Sequence, residues 1–205
     1  MEQPLYWSEA KEYLSNKDKR LGKIISSHEG HLKSRKDPFF SLCKSIVGQQ
    51  ISVQSADSVW KRLVKKCKRI SPKNIDSLTK QDILDCGLTR QKTEYIKLLS
   101  VNFLNNNFKA SKLKNLDDEK AISYLCENKG IGRWTAEMFL IFNQNRQNLF
   151  PVQDIGLLKA ISKNYMTTYP PSIKDLDKFK KRWSPYCSVA TWYMWRSVDP
   201  VPVEY

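Results

Sequence analysis

The sequence predicts an all-α protein, and three observations carry that prediction. Apolar residues recur at three- and four-residue spacing along much of the 205-residue chain. Several of these runs open on a capping residue, at Asp37-Pro38, Thr89, Asp117-Asp118, Asp154 and Ser172. Gly130 and Gly132 bracket Ile131 between two stretches of helical character, which lets the backbone bend tightly from one helix into the next.

Taken in order, Leu21, Ile24, Ile25 and Leu32, with Gly22 and Gly30 between them, predict a helix and a loop that exposes basic residues. His28 and His31 lie three apart with no further His or Cys pair nearby, so they read as surface residues. Asp37 as cap and Pro38 at the first helical position start a core helix through Phe39, Phe40, Leu42, Cys43, Ile46 and Val47. It runs into Gly48-Gln49-Gln50-Ile51-Ser52, after which Val53, Ala56, Val59, Trp60 and Leu63 give a second helix leading into the basic stretch Lys61 to Arg69. A polar segment between two buried helices either carries a function or is a junction whose glutamines bond to the backbone. Ser71-Pro72 breaks the pattern, Asp82 to Leu84 make a short helix stopped by Gly87, and Thr89 caps a longer one through Tyr95, Ile96, Leu99 and Phe103. Asn105 to Lys114 reads as a polar loop, and Asp117-Asp118 opens the first helix of the glycine hairpin.

The second hairpin helix should start at Arg133. Its unpaired N–H groups and positive dipole end make an anion site, and a phosphate is the commonest occupant. Trp134, Met138 and Ile141 share one face while Ala136, Phe139 and Leu140 lie towards the other, so the helix must be buried. A plain αα-hairpin with a core helix accounts for the same spacing. After Phe150 and Pro151, Asp154 precedes Ile155, Leu157, Leu158 and Ile161, the pattern of an N-cap and its amphipathic helix. The cap position also favours the charged carboxylate, and an anion held in a cleft can stabilise an oxocarbenium ion. Pro170-Pro171 breaks the chain, and Ser172 opens a helix reaching Trp183. The closing segment holds Trp183, Tyr186, Trp192, Tyr193 and Trp195, more aromatics than a core this small is expected to use.

Lys and Arg number 35 against 21 Asp and Glu, a formal charge of +14, which favours a polyanionic partner. The longest apolar run, Met138 to Phe142, is far short of a membrane span, and MEQPLYWSEAKEY has no basic region followed by an apolar one. The chain is therefore expected neither to span a membrane nor to be exported. Five scattered cysteines without a CxxC pair suit reduced thiols in a cytosolic or nuclear protein, and no metal site or cofactor is indicated.

GIGRWTAEM followed by FPVQD resembles the helix-hairpin-helix DNA glycosylases, and within them the alkylation-repair branch of the 3-methyladenine glycosylase II type. GLTRQKTEYI and the aromatic final segment extend the likeness from about Leu14 to Arg196. The resemblance implies two helical lobes with a cleft between them: residues 38–146 with the hairpin, and residues 1–37 plus 147–205 formed by both chain ends. It implies a monomeric, monofunctional glycosylase acting on alkylated purines of the 3-methyladenine and 7-methylguanine type in duplex DNA. Such an enzyme works in the bacterial cytoplasm (nucleoid) or the eukaryotic nucleus.

By the same resemblance Asp154 stabilises the oxocarbenium ion and activates water, while Trp134, Met138, Trp195 and Gln49 bind the base. Gln50 is the wedge that fills the gap left by the flipped nucleotide, with Ile51 and Ser52 beside it on the DNA. Lys129, Gly130, Gly132, Arg133 and Thr135 grip the backbone phosphate. Members that also cut the strand use a lysine on the second hairpin helix, and the matching position here is Trp134. Only Cys187 follows Asp154, so the iron-sulfur cluster of some relatives has no ligands here. The chain departs from its relatives at Lys129, where they carry Pro, at Met138, where one carries an aromatic, and at Cys187, where they often carry Arg. Two rival readings are a helix-hairpin-helix module that only binds DNA and a glycosylase for oxidised or mismatched bases.

Overall fold

The computed structural model describes residues 3–199, and among these it contains twelve α-helices, one short 3-10 helix and no strand. The chain divides into two compact units, one made by the two chain ends, up to Ser34 and from Leu140 onwards, and the other by Arg35–Phe139.

The first end contributes α1 (Trp7–Lys17) and α2 (Lys19–Ser27). Asp18 separates them and caps α2, its carboxylate accepting from the backbone N–H of Arg20 and Leu21 at 3.1 Å each. His28 and His31 are half-buried, and the His28 ring nitrogen Nδ1 lies 2.9 Å from the Ile24 carbonyl one helical turn earlier.

In the middle unit α3 (Pro38–Gly48) opens on Asp37, whose carboxylate accepts from the Phe40 N–H at 3.0 Å. Leu42, Cys43 and Ile46 along it are fully buried. Ser52 caps α4 (Val53–Cys67). Ser71-Pro72, expected as a break, instead starts α5 (Pro72–Ser77), since a serine cap with Pro at the first position suits a helix start as well as an interruption. Thr79 and Thr89 cap α6 (Lys80–Asp85) and α7 (Arg90–Leu104). The stretch expected as a loop after α7 contains the 3-10 helix Ala110–Asn115, docked by the fully buried Leu113, with Phe108 also buried just before it. Asp117 then caps α8 (Asp118–Cys126), and the turn leads into α9 (Arg133–Phe142), within which the boundary between the units falls.

The second chain end forms α10 (Ile155–Tyr165), α11 (Ile173–Trp183) and α12 (Cys187–Arg196). It is tied to the first end through Asp18, which also accepts from Tyr165 (2.8 Å), the Trp183 indole (3.1 Å) and Arg182 (3.2 Å). The five aromatics of the closing segment, expected to exceed what this core needs, are all buried. Both ends supply rings that pack edge to face: Trp7 meets Trp192 at 5.4 Å between centroids, and Trp192 meets Tyr193 at 4.8 Å. Rings, rather than aliphatic side chains, thus provide much of the bulk of this core. Among the described residues no helix is long and apolar enough to cross a membrane, and no group of three or more potential ligands is placed to hold a metal ion.

Candidate active site

The expected site residues fall into two groups, one in each unit. In the middle unit the hairpin turn is built on Asn128, which is buried, accepts from the Asn102 amide at 3.0 Å and donates to the Leu125 carbonyl at 3.2 Å. The Ile131 N–H closes the turn on the Asn128 carbonyl at 3.0 Å. The two glycines serve different ends. Gly130 has φ +92°, and a Cβ there would sit 2.3 Å from the Tyr95 ring, so both backbone and packing require glycine. Gly132 is exposed, and nothing lies within 4 Å of the position its Cβ would occupy. It immediately precedes α9, whose first N–H groups have no partner inside the helix, an arrangement suited to close approach of a phosphate.

The side chains expected to grip phosphate are placed differently from one another. Lys129 is exposed at the turn. Arg133 is engaged by its own protein: it reaches Glu119 through two bonds of 2.9 and 2.6 Å and Glu137 at 3.1 Å. These carboxylates, Glu119 foremost, raise the guanidinium pKa and keep it charged, so Arg133 braces α8 against α9 while its side chain stays 42% exposed beside the turn. Thr135 is buried, and its hydroxyl accepts from the Gln49 amide at 3.2 Å. It holds the hairpin from inside, tied to the loop after α3.

Gln49, expected at the base, donates through the same amide nitrogen to the Gly130 carbonyl at 2.9 Å, and so ties its loop to the hairpin. The next three residues form an exposed tip: Gln50 at φ +57°, Ile51 at 41% exposure, and Ser52 as the cap of α4. On α9, Trp134 is half-buried while Met138 is fully buried, so Met138 packs rather than presenting a surface.

The other group centres on Asp154 at the start of α10. Its backbone N–H closes a turn on the Pro151 carbonyl at 2.9 Å. Its Oδ1 accepts twice, from the Leu157 N–H and from the Trp195 indole N–H, both at 2.7 Å. The first bond is the helix cap expected from the sequence. The second reaches from α12, and Trp195 in turn stacks on Phe142, with centroids 5.8 Å apart and an 11° interplanar angle. Gly156 leaves room for this contact, since a Cβ there would lie 3.1 Å from both Asp154 Oδ1 and Trp195 Cδ1. Asp154 keeps 8% of its surface, between the exposed apolar residues Val152 and Ile155. The result is a carboxylate of fixed orientation at the edge of a buried aromatic cluster. Cys187, standing where relatives often carry Arg, is fully buried, and burial pushes its thiol up to about 12.

Gly156 and Phe142 were missed as supports of this group. A glycine two residues after the acid was a readable signal for the first. Nothing local marks the second, whose apolar character suits any core helix.

A family model described as the HhH-GPD superfamily base excision DNA repair protein matches residues 43–185. Bacillus subtilis YfjP is 31% identical over 166 residues, which is 77% of this chain and 58% of YfjP. The DNA-3-methyladenine glycosylase of Saccharomyces cerevisiae is 31% identical over 188 residues, 83% of this chain and 63% of that protein. The chain thus spans less than two thirds of the length of either relative. A crystal structure of a DNA-3-methyladenine glycosidase from Bacillus halodurans superimposes with a TM-score of 0.80 at 28% identity, covering 92% of this chain and 88% of that one. Its all-helical architecture, its glycine hairpin and the extent of the family match together show that the chain belongs to the HhH-GPD superfamily of base excision DNA repair proteins.

Proposed function

We propose that this protein is a monofunctional DNA glycosylase that removes alkylated purines, of the 3-methyladenine and 7-methylguanine type, from duplex DNA. The observation that carries the reading is the Asp154 carboxylate, held by the Leu157 N–H and the Trp195 indole in a chain of this family. A protein that only grips duplex DNA has no use for an oriented acid beside an indole. The names of the Saccharomyces cerevisiae and Bacillus halodurans relatives support the substrate class.

The Gly132 end of α9 and Lys129 hold a backbone phosphate, and the net charge of +14 draws the polyanion in. The damaged nucleotide leaves the stack at a cost of about a few kcal/mol, less for a base that pairs poorly. Gln50 fills the gap. A purine alkylated at N3 or N7 is a cation, and the indole of Trp195 beside Asp154 is the face assigned to it, with cation–π attraction worth about 2 kcal/mol when desolvated.

The bond from C1′ to the base nitrogen then breaks. Its electron pair goes to the base, which leaves neutral and needs no proton from the enzyme. Asp154 stabilises the sugar cation and takes the proton of the water that attacks C1′, giving an abasic site. Trp134 has no amine, so no Schiff base forms and the strand is left uncut. The test is release of methylated purines from treated duplex DNA, run beside borohydride trapping. Free base with no protein-DNA adduct is expected; no base release refutes the activity, and an adduct refutes the monofunctional assignment.

A further inference from the structure

Between α3 and α4 the chain holds an unrelieved strain. Gln50 has φ +57°, a conformation that glycine adopts freely and a glutamine does not, yet Gln50 is exposed and its turn contains a glycine only at position 48. Such a conformation persists only when its neighbours over-determine it. Here they do. Gln49 is pinned through its side chain to the Gly130 carbonyl and the Thr135 hydroxyl. Its own carbonyl accepts from the Lys92 ammonium at 2.6 Å, which also donates to the Val47 carbonyl at 2.8 Å. On the far side Ser52 is fixed as the cap of α4. Gln50 and Ile51 are left protruding beside the Ser52 cap.

Lys92 comes from α7, a separate helix, and lies half-buried against the C-terminal end of α3, where unpaired carbonyls favour a cation. We propose that Lys92 is a positioning residue: by holding the carbonyls of Val47 and Gln49 it fixes the backbone that projects Gln50, and so acts on extrusion of the base and not on breaking of its bond. This rests on the reading of the protein as a glycosylase that flips its substrate. The loop at Gln50 and the hairpin at Gly130 then form one rigid part, joined through Gln49 and clamped by Lys92.

The experiment is single-turnover release of a methylated purine from two duplexes, one with the lesion paired and one with an abasic analogue opposite it, so that the base is already unstacked. Lys92→Met is expected to slow release from the paired duplex by about tenfold or more, while release from the unpaired duplex changes by less than about threefold. Lys92→Arg, which keeps a cationic donor, is expected to recover most of the paired rate. Equal loss on both duplexes, or no loss on the paired one, overturns the inference. Should Lys92→Met melt below the assay temperature, Lys92→Gln is combined with Gln50→Ala. Gln50→Ala alone should reproduce the difference between the duplexes, and the double variant should lose no more than Gln50→Ala does; additive losses overturn the proposal. A wild-type protein that releases no base from either duplex overturns the glycosylase reading itself, an outcome distinct from active wild type with an indifferent Lys92→Met.

Discussion

The Trp195 indole donates its N–H to Asp154 Oδ1 at 2.7 Å, joining α12 to the cap of α10. The same oxygen accepts the Leu157 N–H, so the carboxylate plane is set by two donors from different helices. An acid that must meet a sugar cation at one position gains more from such fixation than from mere proximity.

Trp195→Phe keeps a ring to stack on Phe142 but removes the donor. Release of methylated purine is expected to slow by about 10- to 100-fold, the equivalent of the roughly 1.5–3 kcal/mol of a hydrogen bond to a charged group. Gly156→Ala should slow it too, by pressing a methyl between Asp154 and Trp195, even though alanine is the better helix former. Single-turnover rates measured alongside melting temperatures check both. An unchanged rate in Trp195→Phe would mean that the bond does not serve catalysis.

The two hairpin glycines should separate stability from binding. Gly130→Ala places a side chain at φ +92° against the Tyr95 ring and is expected to cost about 2 kcal/mol or more. Gly132→Ala meets no atom of the protein, so the fold should keep its melting temperature while affinity for duplex DNA falls by about tenfold, because the added methyl obstructs the phosphate. Thermal melts and a binding titration at fixed salt distinguish the two variants.

Asp18 makes stability depend on acid. Burial alone would raise its pKa, but the Leu21 N–H, Trp183, Tyr165 and Arg182 outweigh burial and lower it from 3.8. A group with a lowered folded-state value stabilises the protein above its unfolded value, and that contribution is lost as pH falls below 3.8 through the folded value. Asp18→Ala should cost about 3 kcal/mol at neutral pH. It should also flatten the loss of stability in acid. Urea unfolding of both proteins at neutral pH and below 3.8 checks the sign.

Much of this was legible because caps and helical periods are local. Asp37, Thr89, Asp117, Asp154 and Ser172 each start the helix that their residue type announces. What was illegible depends on partners distant in the chain. The ion pair of Arg133 with Glu119 across the turn, and the bond that Thr135 accepts from Gln49, join residues far apart in the sequence and have no local signal. Met138 looks like a pocket residue by its register, yet α9 is buried from Thr135 to its end. The aromatic surplus of the last helix disappears once Trp7 arrives from the other end of the chain.

The central claim is that Asp154 does chemistry beyond capping a helix. Asparagine caps about as well as aspartate, so Asp154→Asn should fold with a melting temperature close to wild type. The decisive measurement is the single-turnover rate of purine release from methylated duplex DNA for wild type and Asp154→Asn. A fall of about a thousandfold or more in the folded variant is expected; release at the wild-type rate would contradict the account.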